Sequence, residues 1–173
     1  SIQYYTDANF FLLGVKDSRK KSVVSAHLLN YAGLANWKRN NLNEALENYR
    51  KGKEISIRIG DNRQVVKFNN NLSLIDIELQ NYEGAVASLK ESSKVIENSS
   101  RTYKKQEFLN SMSNVNLYPG NAYEKYFHQN KSMGFLLDSA AFYYEKSLIY
   151  SKDFENNMIS AKINIANIYK VKK

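Results

Sequence analysis

The chain has 173 residues, 43% apolar and 13% aromatic, enough to bury the core of one ordinary domain and so to exclude disorder for most of its length. Seven glycines and one proline are too few for the many tight turns of a sandwich or barrel and predict an all-α fold, while the absence of cysteine excludes disulfides and thiolate chemistry. The net charge of +8 would favour anionic partners, but it is spread in short basic groups between acidic residues, as on solvated helix faces, which argues against a nucleic-acid surface.

The first predicted helix covers 2–15. The second, 20–39, carries Leu29, Ala32 and Gly33 on its packing face, and a third follows over 42–58. Gly60-Asp61-Asn62 then reads as a turn, with Gly60 a left-handed C-cap and Asp61 an N-cap. Helices over 62–80 and 82–97 come next, separated by Asn98-Ser99-Ser100 from a long helix over 102–128. Pro119 should kink that helix or end it near Tyr118. Helices over 135–150 and 154–171 complete the chain, with Asp153 expected to cap the last. No apolar run reaches the roughly 18 residues that a membrane span requires.

Three of these helices superpose. Leu42, Ala45 and Tyr49, then Tyr82, Ala85 and Leu89, then Leu137, Ala140 and Tyr144 each place a small residue three positions after a large one and four before another. Those intervals put all three side chains on one helical stripe, and alanine is what fits where two helices of a hairpin cross closely. A larger residue at Ala45 should therefore cost stability. Gly33 and Ser73 supply the small residue on the preceding helices. From Ala45 to Ala85 is 40 residues, and from Ala8 to Ala45 it is 37, so 2–15 reads as the second helix of an earlier repeat.

The positions Leu29, Ala32, Gly33, Leu42, Ala45 and Tyr49, repeated at Leu72, Ser73, Tyr82, Ala85 and Leu89, resemble the tetratricopeptide repeat. Gly120-Asn121-Ala122-Tyr123 with Leu137, Ala140 and Tyr144 follows it a third time, and Ile165-Ala166-Asn167-Ile168-Tyr169 begins a fourth. The resemblance implies a right-handed α-solenoid of three to four antiparallel hairpins, one array over 1–173. Its units would be 1–18 (second helix only), 20–60, 61–100, 101–152 with an insertion, and 153–173 (first helix only). The chain so read is a piece of a longer protein. One spacing departs: Gly120 to Ala140 is 20 residues where Gly33 to Ala45 is 12, an insertion around His128 to Met133 that either extends the surface or shapes a groove.

In this family the first helix of each repeat lines the concave face, which implies a peptide groove built from His27, Asn30, Trp37 and Lys38, then Lys67 and Asn70, then Asn121 and Asn167. Leu34, Leu74, Ile77, Glu78, Glu124 and Lys170 fall on the same face. Asparagine can donate to and accept from a peptide backbone, and Trp37 offers a rigid anchor, so substituting Trp37 and Asn70 should weaken partner binding. The family's clamp for a C-terminal carboxylate pairs Lys with Asn; Asn30 with Leu34 and Asn70 with Leu74 stand there, which disfavours that ligand.

His27 and His128 read as exposed or capping, without a paired carboxylate or second His at a metal-ligand spacing, and no cofactor is expected. No phosphate loop, nucleophile elbow or metalloprotease segment occurs. The 21 Tyr and Phe residues fall mostly at core intervals rather than forming a surface for stacking bases. Two functions follow. The first is a non-enzymatic scaffold binding a protein or peptide, with a homodimer through the array ends as a further option. The second is a sensory or dimerisation segment of a bacterial signalling protein, because period and turn phrases resemble arrays in sensor kinases and transcription regulators. The sequence leaves the compartment open, with cytoplasmic slightly favoured over periplasmic.

Overall fold

The computed structural model describes residues 17–172, which fold into seven α-helices and one 3-10 turn, with no strand among the described residues. The helices are α1 (Ser18–Lys38), α2 (Leu42–Ile59), α3 (Asn62–Glu78), α4 (Tyr82–Asn98), α5 (Lys105–Gln129), α6 (Phe135–Tyr150) and α7 (Glu155–Val171). The helix expected over 2–15, with Ala8, lies outside the described residues. Seven of the predicted helices match to within a turn. The largest shift is at the start of α5, where Ser100–Thr102 forms the 3-10 turn and Tyr103 is extended. The chain divides into two compact units, one ending at Ile75 and one beginning at Asp76, within α3.

In the first unit α1 and α2 pack as a hairpin. Asp17 opens α1 by accepting from the Arg19 and Lys20 amides at 2.9 and 3.1 Å. The hairpin turns at Asn40, which takes φ 63°, while the Asn41 amide returns to the Asn36 carbonyl at 3.0 Å. Gly60 ends α2 in the same left-handed way, φ 71°, with the Asp61 amide on the Ser56 carbonyl, and Asp61 Oδ1 then caps α3 at the Gln64 amide. Both caps agree with expectation. The core joins Ala26, Ala45, Leu46, Tyr49, Phe68, Leu72 and Ile75.

Gly33 lies flat on the Tyr49 ring: a methyl added there would meet Tyr49 Cε1 at 2.4 Å. Gly52 lies on Phe68 in the same manner, where an added carbon would meet Cζ at 2.2 Å. Both α1–α2 and α2–α3 thus approach closely because one partner has no side chain.

The Tyr49 hydroxyl and both amide atoms of Asn69 are buried without a hydrogen-bond partner among the described residues. Burial pushes the Tyr49 phenol up from its ordinary value of 10.0 to about 12. The phenol is thus harder to ionise folded than unfolded, so its contribution is intact below pH 10 and is lost as pH rises towards 12. Tyr49→Phe is expected to raise stability by roughly 1 kcal/mol at neutral pH, by removing an unpaired hydroxyl, and to shallow the decline above pH 10. Urea titrations at both pH values check this; a loss at neutral pH would show that the hydroxyl is bonded.

In the second unit α4 packs on α5, α5 on α6 and α6 on α7, with a lesser contact of α5 to α7. The turn into α4 repeats the α1–α2 turn 40 residues later: Gln80 has φ 62° and the Asn81 amide reaches the Asp76 carbonyl at 2.8 Å. Asn81 also caps α4 at the Gly84 amide. The α5–α6 hairpin repeats the glycine contact, since a carbon added at Gly120 would meet Tyr144 Cε1 at 2.4 Å. Its core holds Leu117, Phe127, Leu136, Leu137, Ala140, Tyr144, Ala161 and Ile168.

Two of the expected helix boundaries do not occur. Pro119 does not end α5 near Tyr118: the helix runs on to Gln129, with Pro119 buried and the Asn116 side-chain Nδ2 donating to the Met112 carbonyl at 2.7 Å. The missing donor costs one bond, and packing of both halves against α6 outweighs it. Asp153 does not cap α7, because Phe154 occupies the N-cap position and Asp153 stays exposed in the turn before it.

Candidate functional site

The eight extra residues of the third hairpin are not one loop. Relative to Gly33 and Ala45, four lengthen α5 beyond Gly120, two lengthen the connection over 130–134, and two precede Ala140 in α6. The lengthened end of α5 carries Tyr126, His128 and Gln129. Tyr126 stacks on Tyr82, the first residue of α4, with centroids 4.9 Å apart and planes 18° apart. Tyr82 is thereby buried with Ile77, Ala85, Val86 and Ala122.

Two shallow hollows flank Tyr82. One, of about 380 Å³, is lined by Ile77, Glu78, Gln80, Tyr82, Lys125, His128 and Gln129. The other, of about 250 Å³, is lined by Tyr82, Glu83, Val86, Ala87, Lys90 and Tyr123. The first offers amides and charges of both signs; the second offers an aliphatic and aromatic floor between Glu83 and Lys90. Tyr123 is held by stacking on Tyr143 at 5.7 Å, and burial raises the pKa of both phenols, which keeps them neutral donors. Thus Tyr143, the neighbour of core Tyr144, serves the wall of the site rather than the core.

His128 Nε2 stands 4.0 Å from Glu124 Oε1, so the expectation that neither histidine has a carboxylate at helical spacing was wrong: Glu124 lies four residues earlier. No group of three or more candidate metal ligands occurs among the described residues.

The residues expected in a groove meet different fates. Asn30 is buried, its oxygen bonded to Asn71 Nδ2 at 2.9 Å. His27 is half-buried with Gln64 Nε2 3.3 Å from its ring, and half-buried Trp37 packs against the core of the first unit. Lys38 and Lys67 are exposed and Asn70 is half-buried. In the second unit Asn121 Oδ1 accepts from the Tyr144 hydroxyl at 2.9 Å and from Asn164 Nδ2 at 3.2 Å, while Asn167 is exposed. Ile77, assigned to the same face, is buried.

Much of the asparagine therefore works inside the fold. Asn157 bonds Asn114 at 2.9 Å one heptad before the Asn164 to Asn121 bond, and the two bonds tie α7 to α5. Sequence reasoning missed this ladder, although its signal is present: Asn114 and Asn121, like Asn157 and Asn164, are seven residues apart. It also missed Gly52, Ser92 and Ser147, small buried residues each seven positions after the alanine of the repeat.

The fold and site define an all-helical protein with two packed hairpins, α1–α2 and α5–α6, and a mixed polar and aromatic cleft beside the second. No protein-family model matches the chain, and no curated protein matches it closely enough to count as a relative.

Proposed function

We propose that the chain is a non-enzymatic scaffold of the tetratricopeptide type that binds a protein or peptide, with the hollows beside Tyr82 as the seat of its ligand. The observation that supports this is the lengthening of α5, which adds Tyr126, His128 and Gln129 where the first hairpin has nothing comparable. An extended segment can place one apolar side chain on Val86 and Tyr123 and its amides among Gln80, Gln129 and His128. The net charge of +8 favours an acidic segment.

Filling the hollows tests the site. Peptides selected from a random display library are titrated against the protein and against Ala87→Trp and Gln129→Trp. Either substitution is expected to weaken binding about tenfold or more, with helicity unchanged because both positions are exposed. Loss of binding only on substituting Trp37 or Asn70 would move the ligand to the first unit.

A second reading, a sensory or dimerisation segment of a bacterial signalling protein, is favoured by exposed apolar residues on α7, Ile159, Ile163 and Tyr169.

A further inference from the structure

Helix α6 is buried along one side through Leu137, Ala140 and Tyr144, yet Phe135, Phe142 and Ile149 on it are 63%, 52% and 64% exposed. The three are spaced by seven, which places them on one stripe drifting only about 20° per step. Their exposed apolar surface is on the order of 300 Å², the size at which patches on a monomer are commonly functional. None of the three lines the hollows beside Tyr82.

We propose that this stripe is the contact of a homodimer, in which α6 of one copy lies antiparallel on α6 of a second, about a two-fold axis at Phe142. The sequence around Phe142 is self-complementary in that arrangement. Phe142 meets its own equivalent, Phe135 meets Ile149 of the second copy, and Asp138, four residues before the axis, meets Lys146, four residues after it. Each opposite-charge contact then occurs twice. A parallel pairing would instead set Asp138 against Asp138 and Lys146 against Lys146, which is repulsive.

Both charges already stand at the edge of the stripe. Lys146 Nζ lies 4.9 Å from the centre of the Phe142 ring, and Asp138 forms an exposed ion pair with Lys172. An exposed pair contributes little, so exchanging it for a contact beside a desolvated stripe is not opposed. The apolar area, about 600 Å² for two copies, is below that of a standard interface, so the dimer forms with a dissociation constant in the micromolar range or weaker.

Sedimentation equilibrium from roughly 1 μM to 1 mM reads the constant. Wild type is expected to dimerise reversibly, and Phe142→Asp to raise the constant at least about tenfold. Asp138→Lys and Lys146→Asp should each weaken self-association, whereas an equimolar mixture of these two variants should associate more tightly than either alone, because every charge contact is then opposite. All three positions are exposed, so circular dichroism should be unchanged. A wild type that stays monomeric throughout the range overturns the proposal. So does a dimer insensitive to Phe142→Asp, or a mixture no tighter than its components.

Discussion

Tyr144→Ala is expected to cost about 3–5 kcal/mol. The side chain is wholly buried among Leu137, Ala140 and Ala161, where truncation leaves a cavity that three packed helices cannot collapse. Its hydroxyl also donates within 2.7 Å of Glu124 Oε2 and 2.9 Å of Asn121 Oδ1, and that oxygen receives Asn164 from α7. Tyr144→Phe isolates the polar part and should cost about 1–3 kcal/mol. It should thus oppose Tyr49→Phe in sign, although both tyrosines sit against a glycine of the preceding helix. Urea denaturation of the two phenylalanine variants makes the comparison, and equal effects would show that the bonds to Glu124 and Asn121 contribute nothing.

Gly120→Val is expected to cost about 1–3 kcal/mol through overpacking. A glycine inside a helix ordinarily gains about 1 kcal/mol on replacement by alanine, so a loss at this position reports the contact with Tyr144. That ring is fully buried and bonded at its hydroxyl, and cannot swing aside as an exposed side chain would. Gly134 serves as the control: an added carbon there meets nothing within 4 Å, and Gly134→Ala should be neutral. Thermal melts decide it, and stabilisation by Gly120→Val would contradict the hairpin geometry.

Most of the fold was legible because helices packed this closely demand small residues at fixed intervals, and Gly33, Ala45, Gly120 and Ala140 state those intervals directly. The caps at Gly60 and Asp61 were readable for the same local reason. The turns at Asn40 and Gln80 were not, since each is a non-glycine residue at positive φ, held there by amides returning to Asn36 and Asp76. The end expected near Tyr118 does not occur because propensity speaks only of the isolated helix, whereas packing of both halves decides whether it continues.

The site was less legible. Asn30 and Asn121 have the chemistry of peptide ligands, but a one-dimensional pattern cannot show that Asn71, Tyr144 and Asn164 already claim them. The spacing between Gly120 and Ala140 did mark the place where the cleft arises. What it could not give was the stacking of Tyr126 on Tyr82, a contact between residues 44 apart.

The most direct test of partner binding beside Tyr82 is a map of backbone amide shifts on titrating the ¹⁵N-labelled protein with a display-selected peptide. The account predicts shifts concentrated on Tyr82, Ala87, Lys90, His128 and Gln129. Shifts gathered instead around Trp37 and Lys67, or a library that yields no specific binder, would contradict it.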